Sequence, residues 1–119
     1  MTERELIDFL QDILDTINAI ERFVFGLGFE EFERDDKTIF AVARAIEIIG
    51  EAVKNVPESI RSKYPEIPWK AIAGMRDKLI HQYWGTDVQV LWKTTQQDVP
   101  QLKALIARVM EEELQDEEL

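Results

Sequence analysis

The sequence contains no cysteine and a single histidine, His81, among its 119 residues. Without cysteine the chain has no disulfide framework and no thiolate site for a metal. A single histidine also excludes a histidine-rich metal site built within one chain. The composition therefore predicts no metal site of either kind within one chain, and we expect no cofactor.

Long apolar runs are also missing, and none approaches the roughly 20 residues that a membrane-spanning helix needs. The first five residues, Met-Thr-Glu-Arg-Glu, lack the apolar core of a secretion signal. We expect a cytoplasmic protein that makes no contact with a membrane. The length predicts one domain over residues 1–119, with an acidic tail from about residue 111.

Basic residues are scarce, since 14 lysines and arginines stand against 24 acids and give a formal net charge of −10. Taken alone, this excess of acid argues against a nucleic-acid ligand. The charge is uneven, however, with a net of −8 over residues 1–36, +4 over 37–108 and −6 over 109–119. Acidic ends are commonly solvated helix faces, so the net charge neither supports nor excludes RNA as a ligand.

Strand patterns are absent, whereas apolar residues recur at helical spacing through most of the chain. Thr2 and Glu5 form a capping box for a first helix that should run to about Phe25. Gly26 then tolerates the positive φ that often ends a helix. These signals predict an all-α fold, an antiparallel bundle of four or more helices with short connections.

A second amphipathic helix should follow an acidic connector at residues 29–34 and begin with a cap at Asp35 or Asp36. Its small residues, Gly50 among them, would let a neighbouring helix come close. Later, a connector at residues 64–68 contains two prolines and leads into a helix that starts at Pro68.

That later helix should end at Gly85, and Asp87 and Asp98 should each cap a further helix. The last helix should carry Leu114 on its apolar stripe and fray from about Glu111. Three aromatic side chains are candidates for a partly exposed contact surface or, equally, for the core: Tyr64, Trp84 and Trp92.

Glu47 and Glu51 lie one helical turn apart on the second helix. Two carboxylates at that spacing either bind a metal or act as an acid–base pair. Alternatively they are solvated or ion-paired, and Arg44 is the simplest partner. No second set of ligands is evident elsewhere, which favours the second interpretation.

The stretch from Gly74 to Asp87 combines the histidine with Arg76 and Tyr83. A guanidinium grips phosphate through a rigid fork of donors, an imidazole transfers protons near neutral pH, and a phenol donates a hydrogen bond. The alternative is structural: the histidine favours the negative end of a helix dipole, and Arg76 with Asp77 is solvated surface.

On a regular helix Arg76 and Tyr83 are about 700° apart and share a face, whereas His81 lies roughly 140° away from Arg76. One straight helix therefore does not bring the three side chains together. Either the helix loosens before Gly85, or two copies of the chain meet and supply both halves of a cleft. The second option suits a small protein that cannot enclose a pocket alone.

The string Arg-x4-His-x-Tyr, from Arg76 to Tyr83, resembles the signature of HEPN-domain ribonucleases. The similarity is greatest to the HepT branch, the toxin half of HepT/MntA toxin–antitoxin pairs. It extends to residues 40–52 and 67–75 and to two later segments, so it covers nearly the whole chain. The resemblance implies a HEPN-like bundle, a homodimer, and a metal-independent endoribonuclease that acts on RNA.

The resemblance also implies roles for the motif residues. His81 would be the general base or acid, Arg76 would bind the scissile phosphate, and Tyr83 would orient that phosphate or His81. Asp77 would position a neighbouring side chain. Since RNA carries its own nucleophile, the 2′-hydroxyl, proton transfer and charge stabilisation suffice for cleavage. A base and an acid of histidine type then require two protomers.

A partner is implied as well, a small MntA-like nucleotidyltransferase antitoxin that transfers AMP to the toxin. The matching acceptor in this sequence is Tyr83. One alternative is a non-catalytic HEPN binding module that partners a nucleotidyltransferase or is modified by it. Another is a structural bundle that only dimerises, in which Arg76 and His81 would face away from each other and from any cleft.

Overall fold

The structure is a computed structural model that describes residues 2–75, 77 and 87–118. These ranges contain helices and no strand, which confirms the predicted all-α class. A π-helical turn, Thr94–Asp98, joins the last two helices. The α-helices in the described ranges are α1 (Glu3–Val24), α2 (Phe29–Glu33), α3 (Asp36–Lys54), α4 (Glu58–Lys63), α5 (Trp69–Ala73), α6 (Val88–Lys93) and α7 (Val99–Glu118).

The core lies where α1 packs against α3 and α7. The apolar stripe of α1 is buried as its spacing predicts, and each fully buried aliphatic side chain contributes about 1.5–3 kcal/mol. Lys103 near the start of α7 contacts Glu21 near the end of α1 at 2.8 Å, so the two helices run antiparallel. The stripe residues buried in α1 are Leu6, Leu10, Ile13, Ile17 and Ile20.

The predicted helix caps are largely confirmed. The Glu5 N–H donates to Thr2 Oγ1 at 3.1 Å, and the Thr2 N–H donates to Glu5 Oε2 at 3.0 Å. After α1 the chain turns at Gly26, whose φ is +77°. Asp35 caps α3 through the N–H of Thr38. The carboxylate of Asp87 likewise accepts from the first N–H groups of α6.

The connector expected at residues 29–34 is wrong, because most of it forms α2. The Gly28 N–H donates to the side chain of Glu31, which satisfies one free donor of the first turn. Phe32 is completely buried, and its ring centroid lies 5.1 Å from that of the half-buried Trp92. This helix is too short for its apolar residues to show a helical period. It is therefore stabilised by the tertiary packing of one phenylalanine.

The cap expected at Asp98 is also wrong, since the chain stays helical from α6 into α7. The Val99 N–H donates to the carbonyl of Thr94, five residues earlier, as in a π-helix. In a regular helix the ring of Pro100 would clash with the carbonyl four residues before it. The wider π turn ends two residues before this proline, and the helix continues without a break.

The end of α7 differs from expectation too. The helix continues to Glu118 rather than fraying from Glu111, and Leu114 is 39% exposed. Glu113 is buried instead, and it accepts from Lys63 Nζ at 2.7 Å and from the Tyr64 hydroxyl at 2.8 Å. Tyr64 is therefore a core residue, and its hydrogen bond ties the connector after α4 to α7.

Burial, and then the hydrogen bond to Glu113, raise the pKa of the Tyr64 phenol well above its ordinary value. In the unfolded chain the phenol titrates near pH 10. Because the folded pKa is the higher one, the stabilising contribution is complete below about pH 10 and is lost as the pH rises toward the folded pKa.

Tyr64→Phe should lower the free energy of unfolding by about 1.5–3 kcal/mol near neutral pH, since a hydrogen bond to a charged group contributes about that much. Wild type should lose more stability than this variant above about pH 10, because Phe has no phenol to ionise. Denaturant titrations followed by circular dichroism measure both effects.

Lys103→Gln is the matched control for that measurement. It removes the exposed contact with Glu21, in which both side chains are more than 40% exposed, and such pairs contribute about 1 kcal/mol or less. Equal unfolding midpoints for Tyr64→Phe and Lys103→Gln would contradict the role assigned to Tyr64.

Candidate functional site

The predicted site begins directly after α5. Arg76, His81 and Tyr83 lie outside the residues that the structure describes, as do Trp84 and Gly85. Asp77 is described: its side chain is exposed, and its backbone N–H donates to the carbonyl of Gly74 at 3.0 Å. Of the predicted site residues, the one that the structure describes is therefore at the protein surface.

The helix expected to run on from Pro68 is interrupted at Gly74. There the α5 carbonyls of Lys70 and Ile72 accept the Gly74 N–H, and ψ falls to −3°. Helical geometry resumes at Met75. The motif is thus separated from α5 by a one-residue break that apolar periodicity does not reveal.

Two hydrogen bonds link α5 to α7 by way of Tyr64. The indole Nε1 of the buried Trp69 donates to the backbone carbonyl of Tyr64 at 3.0 Å. Tyr64 in turn donates through its hydroxyl to Glu113 on α7. Ile72, three residues after Trp69 and hence on the same face, is buried as well. The face of α5 that points inward is fixed by these contacts.

α5 also packs against α3, and the two helices come close together at Gly50. A Cβ added at Gly50 would lie 3.2 Å from the carbonyl oxygen of Ala73 and 3.7 Å from that of Ile72. The first distance is shorter than an ordinary van der Waals contact. The close approach predicted from the small residues of this helix is therefore confirmed, and it lies three residues before Arg76.

The glutamate pair of α3 is ion-paired. Glu47 Oε2 lies 3.1 Å from Arg44 Nη1, and Glu51 Oε1 lies 3.9 Å from Lys54 Nζ. Arg44 is thus the partner of Glu47, as the second interpretation predicts. The described ranges contain no group of three histidine, cysteine or acidic side chains placed to hold a metal ion.

The Tyr64–Glu113 contact is a structural feature that the sequence interpretation missed. Glu113 follows Val109 by four residues, so it occupies a position on the apolar stripe of α7. A glutamate at such a position needs a buried partner. Its four-residue spacing from Val109 therefore indicates that Glu113 makes a buried polar contact. The partner itself, 49 residues away, cannot be identified from spacing.

Within the described ranges, the helices lack the length and apolar character needed to cross a membrane.

Comparison with known proteins gives one family model, described as ribonuclease HepT-like, which matches residues 13–109. A protein of Thermococcus cleftensis named as a probable ribonuclease HepT is 56% identical over 96 residues, which are 81% of this chain and 87% of the relative. No solved structure gives a significant match.

Two proteins of Methanocaldococcus jannaschii, named provisionally as RNases, are each 43% identical to this chain over 112 residues. Those residues are 94% of this chain in both cases, and 93% and 97% of the respective relatives. The similarity is therefore global, and the segment from Arg76 to Tyr83 lies inside the span that the family model matches.

Proposed function

The chain belongs to the HepT-like ribonuclease family, and from this premise we propose that it is a metal-independent endoribonuclease, the toxin of a toxin–antitoxin pair. Membership makes the protein a ribonuclease, as the sequence motif predicted, and indicates RNA as its substrate. The observation that carries the finer proposal is that the family match spans the whole Arg-x4-His-x-Tyr string.

The proposed chemistry uses the 2′-hydroxyl of RNA as the nucleophile. His81 takes the proton of that hydroxyl. The 2′-oxygen then attacks the adjacent phosphorus while the bond from phosphorus to the 5′-oxygen breaks. Arg76 holds the phosphate and stabilises the charge that develops on it. Tyr83 orients the phosphate or His81, and Asp77 positions a neighbouring side chain.

The leaving 5′-oxygen needs a proton, and a second histidine would supply it. Since each chain has one histidine, we propose a two-fold homodimer in which both copies of Arg76 and His81 line one cleft. The angular separation of roughly 140° between these residues on a helix supports the same arrangement. The exposure of Asp77 supports a site that RNA and a second protomer can reach.

We expect His81→Ala to lower the rate of RNA cleavage by about 10²–10⁴-fold, the usual contribution of a general acid or base. Arg76→Lys should also lose most of the activity, because an ammonium group cannot replace a bidentate fork of donors. Cleavage of a labelled RNA by purified proteins measures both, and circular dichroism shows whether each variant is folded.

Arg44→Lys provides the matched control, since Arg44 lies on α3 with its side chain 69% exposed. This variant should cleave RNA at the wild-type rate. Wild-type activity in a folded His81→Ala protein would show that the catalytic assignment is wrong.

We further propose that an MntA-like nucleotidyltransferase antitoxin neutralises the toxin by transferring AMP to Tyr83. The chain has two tyrosines, and the structure supports this choice between them. The Tyr64 hydroxyl is buried and donates to Glu113, so it is a poor acceptor. On a helix Tyr83 shares a face with Arg76, where the added phosphate would occupy the place of substrate phosphate.

Incubation with the partner and ATP should add one AMP to the wild-type chain, and peptide mapping should place it on Tyr83. Tyr83→Phe should remain unmodified, because it keeps the ring but lacks the acceptor oxygen. Tyr64→Phe, if folded, should still be modified. Intact-mass measurement reports all three results, and an adduct that maps to Tyr64 would refute the proposed control.

A further inference from the structure

Most cations in the central block of the chain, residues 37–108, are neutralised by a carboxylate in the described structure. Three lysines differ: Lys37, Lys70 and Lys93 form no ion pair with any described residue. The remaining described cations of the block all have an acidic partner within 4.0 Å, namely Arg44, Lys54, Arg61, Lys63, Lys103 and Arg108.

Two of these three lysines line surface depressions, one at α5 and one that reaches Met75, two residues after α5. Lys70 lines a depression of about 720 Å³ next to α4, together with Arg61. Lys93 lines another, of about 420 Å³, next to the π turn. Lys37 lines neither of them.

A third depression, of about 350 Å³, connects the other two. It shares Pro68 and Ala71 with the depression of Lys70, and Met75 and Asp98 with that of Lys93. Through these shared residues the three adjoin one another as one groove that passes α5 and Met75, which we call the α5 groove. It passes Met75, the residue directly before Arg76.

We propose that the α5 groove binds single-stranded RNA, and that Lys70 and Lys93 hold phosphates on opposite sides of the scissile one. This inference rests on the proposed ribonuclease function and adds the path of the strand. An ammonium group binds phosphate as a point charge. Since neither lysine has a described acidic partner to release first, its full charge is available to RNA.

The acids in the groove are consistent with a strand that alternates phosphates and bases. Glu66 pairs with Arg108, and Glu58 lies 3.2 Å from Arg61, so both are largely neutralised. Asp98 is exposed beside Met75. A carboxylate there disfavours an adjacent phosphate but accepts hydrogen bonds from the amino groups of bases.

The charge of the whole chain strengthens the preference for this groove. With a net charge of −10, the protein as a whole repels a polyanion. Binding of RNA is therefore favoured at a groove lined by lysines that no described carboxylate neutralises. The apolar side chains of Pro68 and Met75 provide surface against which bases can pack.

The test measures binding of a fluorescent 2′-O-methyl oligonucleotide, which lacks the nucleophilic hydroxyl and therefore reports binding without cleavage. The affinity is determined by anisotropy over a range of salt concentrations for the full-length wild type, Lys70→Gln, Lys93→Gln and Lys37→Gln. Each lost phosphate contact on a single strand should reduce the slope of log K against log salt by about 0.7.

We expect Lys70→Gln and Lys93→Gln each to weaken binding and flatten the slope by that amount, while Lys37→Gln matches wild type. A wild-type slope for either groove variant would overturn the proposal. Lysine-dependent binding by a wild-type protein that leaves unmodified RNA intact would uphold the groove and contradict only the proposed ribonuclease chemistry.

Discussion

The contact between Gly50 of α3 and the backbone of α5 is the constraint on which the position of the site depends. A Cβ at residue 50 would lie 3.2 Å from the carbonyl oxygen of Ala73, which is tighter than most such contacts, so any larger residue would require its neighbour to shift by a few tenths of an ångström. Trp69 and Tyr64 also connect α5 to α7 through two hydrogen bonds. A five-residue helix, too short to be stable alone, is thereby linked to the two long helices that pack on α1 in the core. The motif starts immediately after it.

The distribution of charge gives a consistent account of how an acidic protein could act on RNA. The acids are concentrated in the first 36 and last 11 residues, away from the motif in the sequence. In the central block, ion pairs neutralise most of the described cations. Lys70 and Lys93 remain unpaired among the described residues; Lys70 lies on α5, and Lys93 lines a depression that reaches Met75. A large net charge and a local anion-binding surface are therefore compatible, because screening over about 10 Å limits the reach of distant charges.

The long helices could be predicted from the sequence because their signals are local. The capping box at Thr2 and the apolar stripe define α1, and Asp35 defines the start of α3. The errors occurred where distant contacts decide the structure. Phe32 forms a helix because it packs on Trp92, and Glu113 is buried because Tyr64 and Lys63 reach it. These partners cannot be identified from any local sequence pattern.

The same distinction applies to the π turn and to the site. Two neighbouring residues, Asp98 as a cap and Pro100, predicted the start of a helix. Instead the helix continues, because a turn with π-helical hydrogen bonds accommodates the proline. For the site, resemblance to a family predicts Arg76, Asp77, His81 and Tyr83 by type and spacing, and their roles stay a prediction. The interruption at Gly74 and the depression lined by residues of α5 and α7 are features of the three-dimensional structure that residue spacing does not report.

The central claim is that RNA provides the nucleophile and that no metal ion takes part in cleavage. The most direct measurement follows a labelled RNA with wild-type protein in excess chelator, beside the same RNA carrying 2′-O-methyl groups, and identifies the product ends by mass spectrometry. The account predicts cleavage of the unmodified RNA with 2′,3′-cyclic phosphate and 5′-hydroxyl ends, and no cleavage of the methylated RNA. Activity that disappears with the chelator and returns with a divalent ion, or cleavage of the methylated RNA, would contradict it.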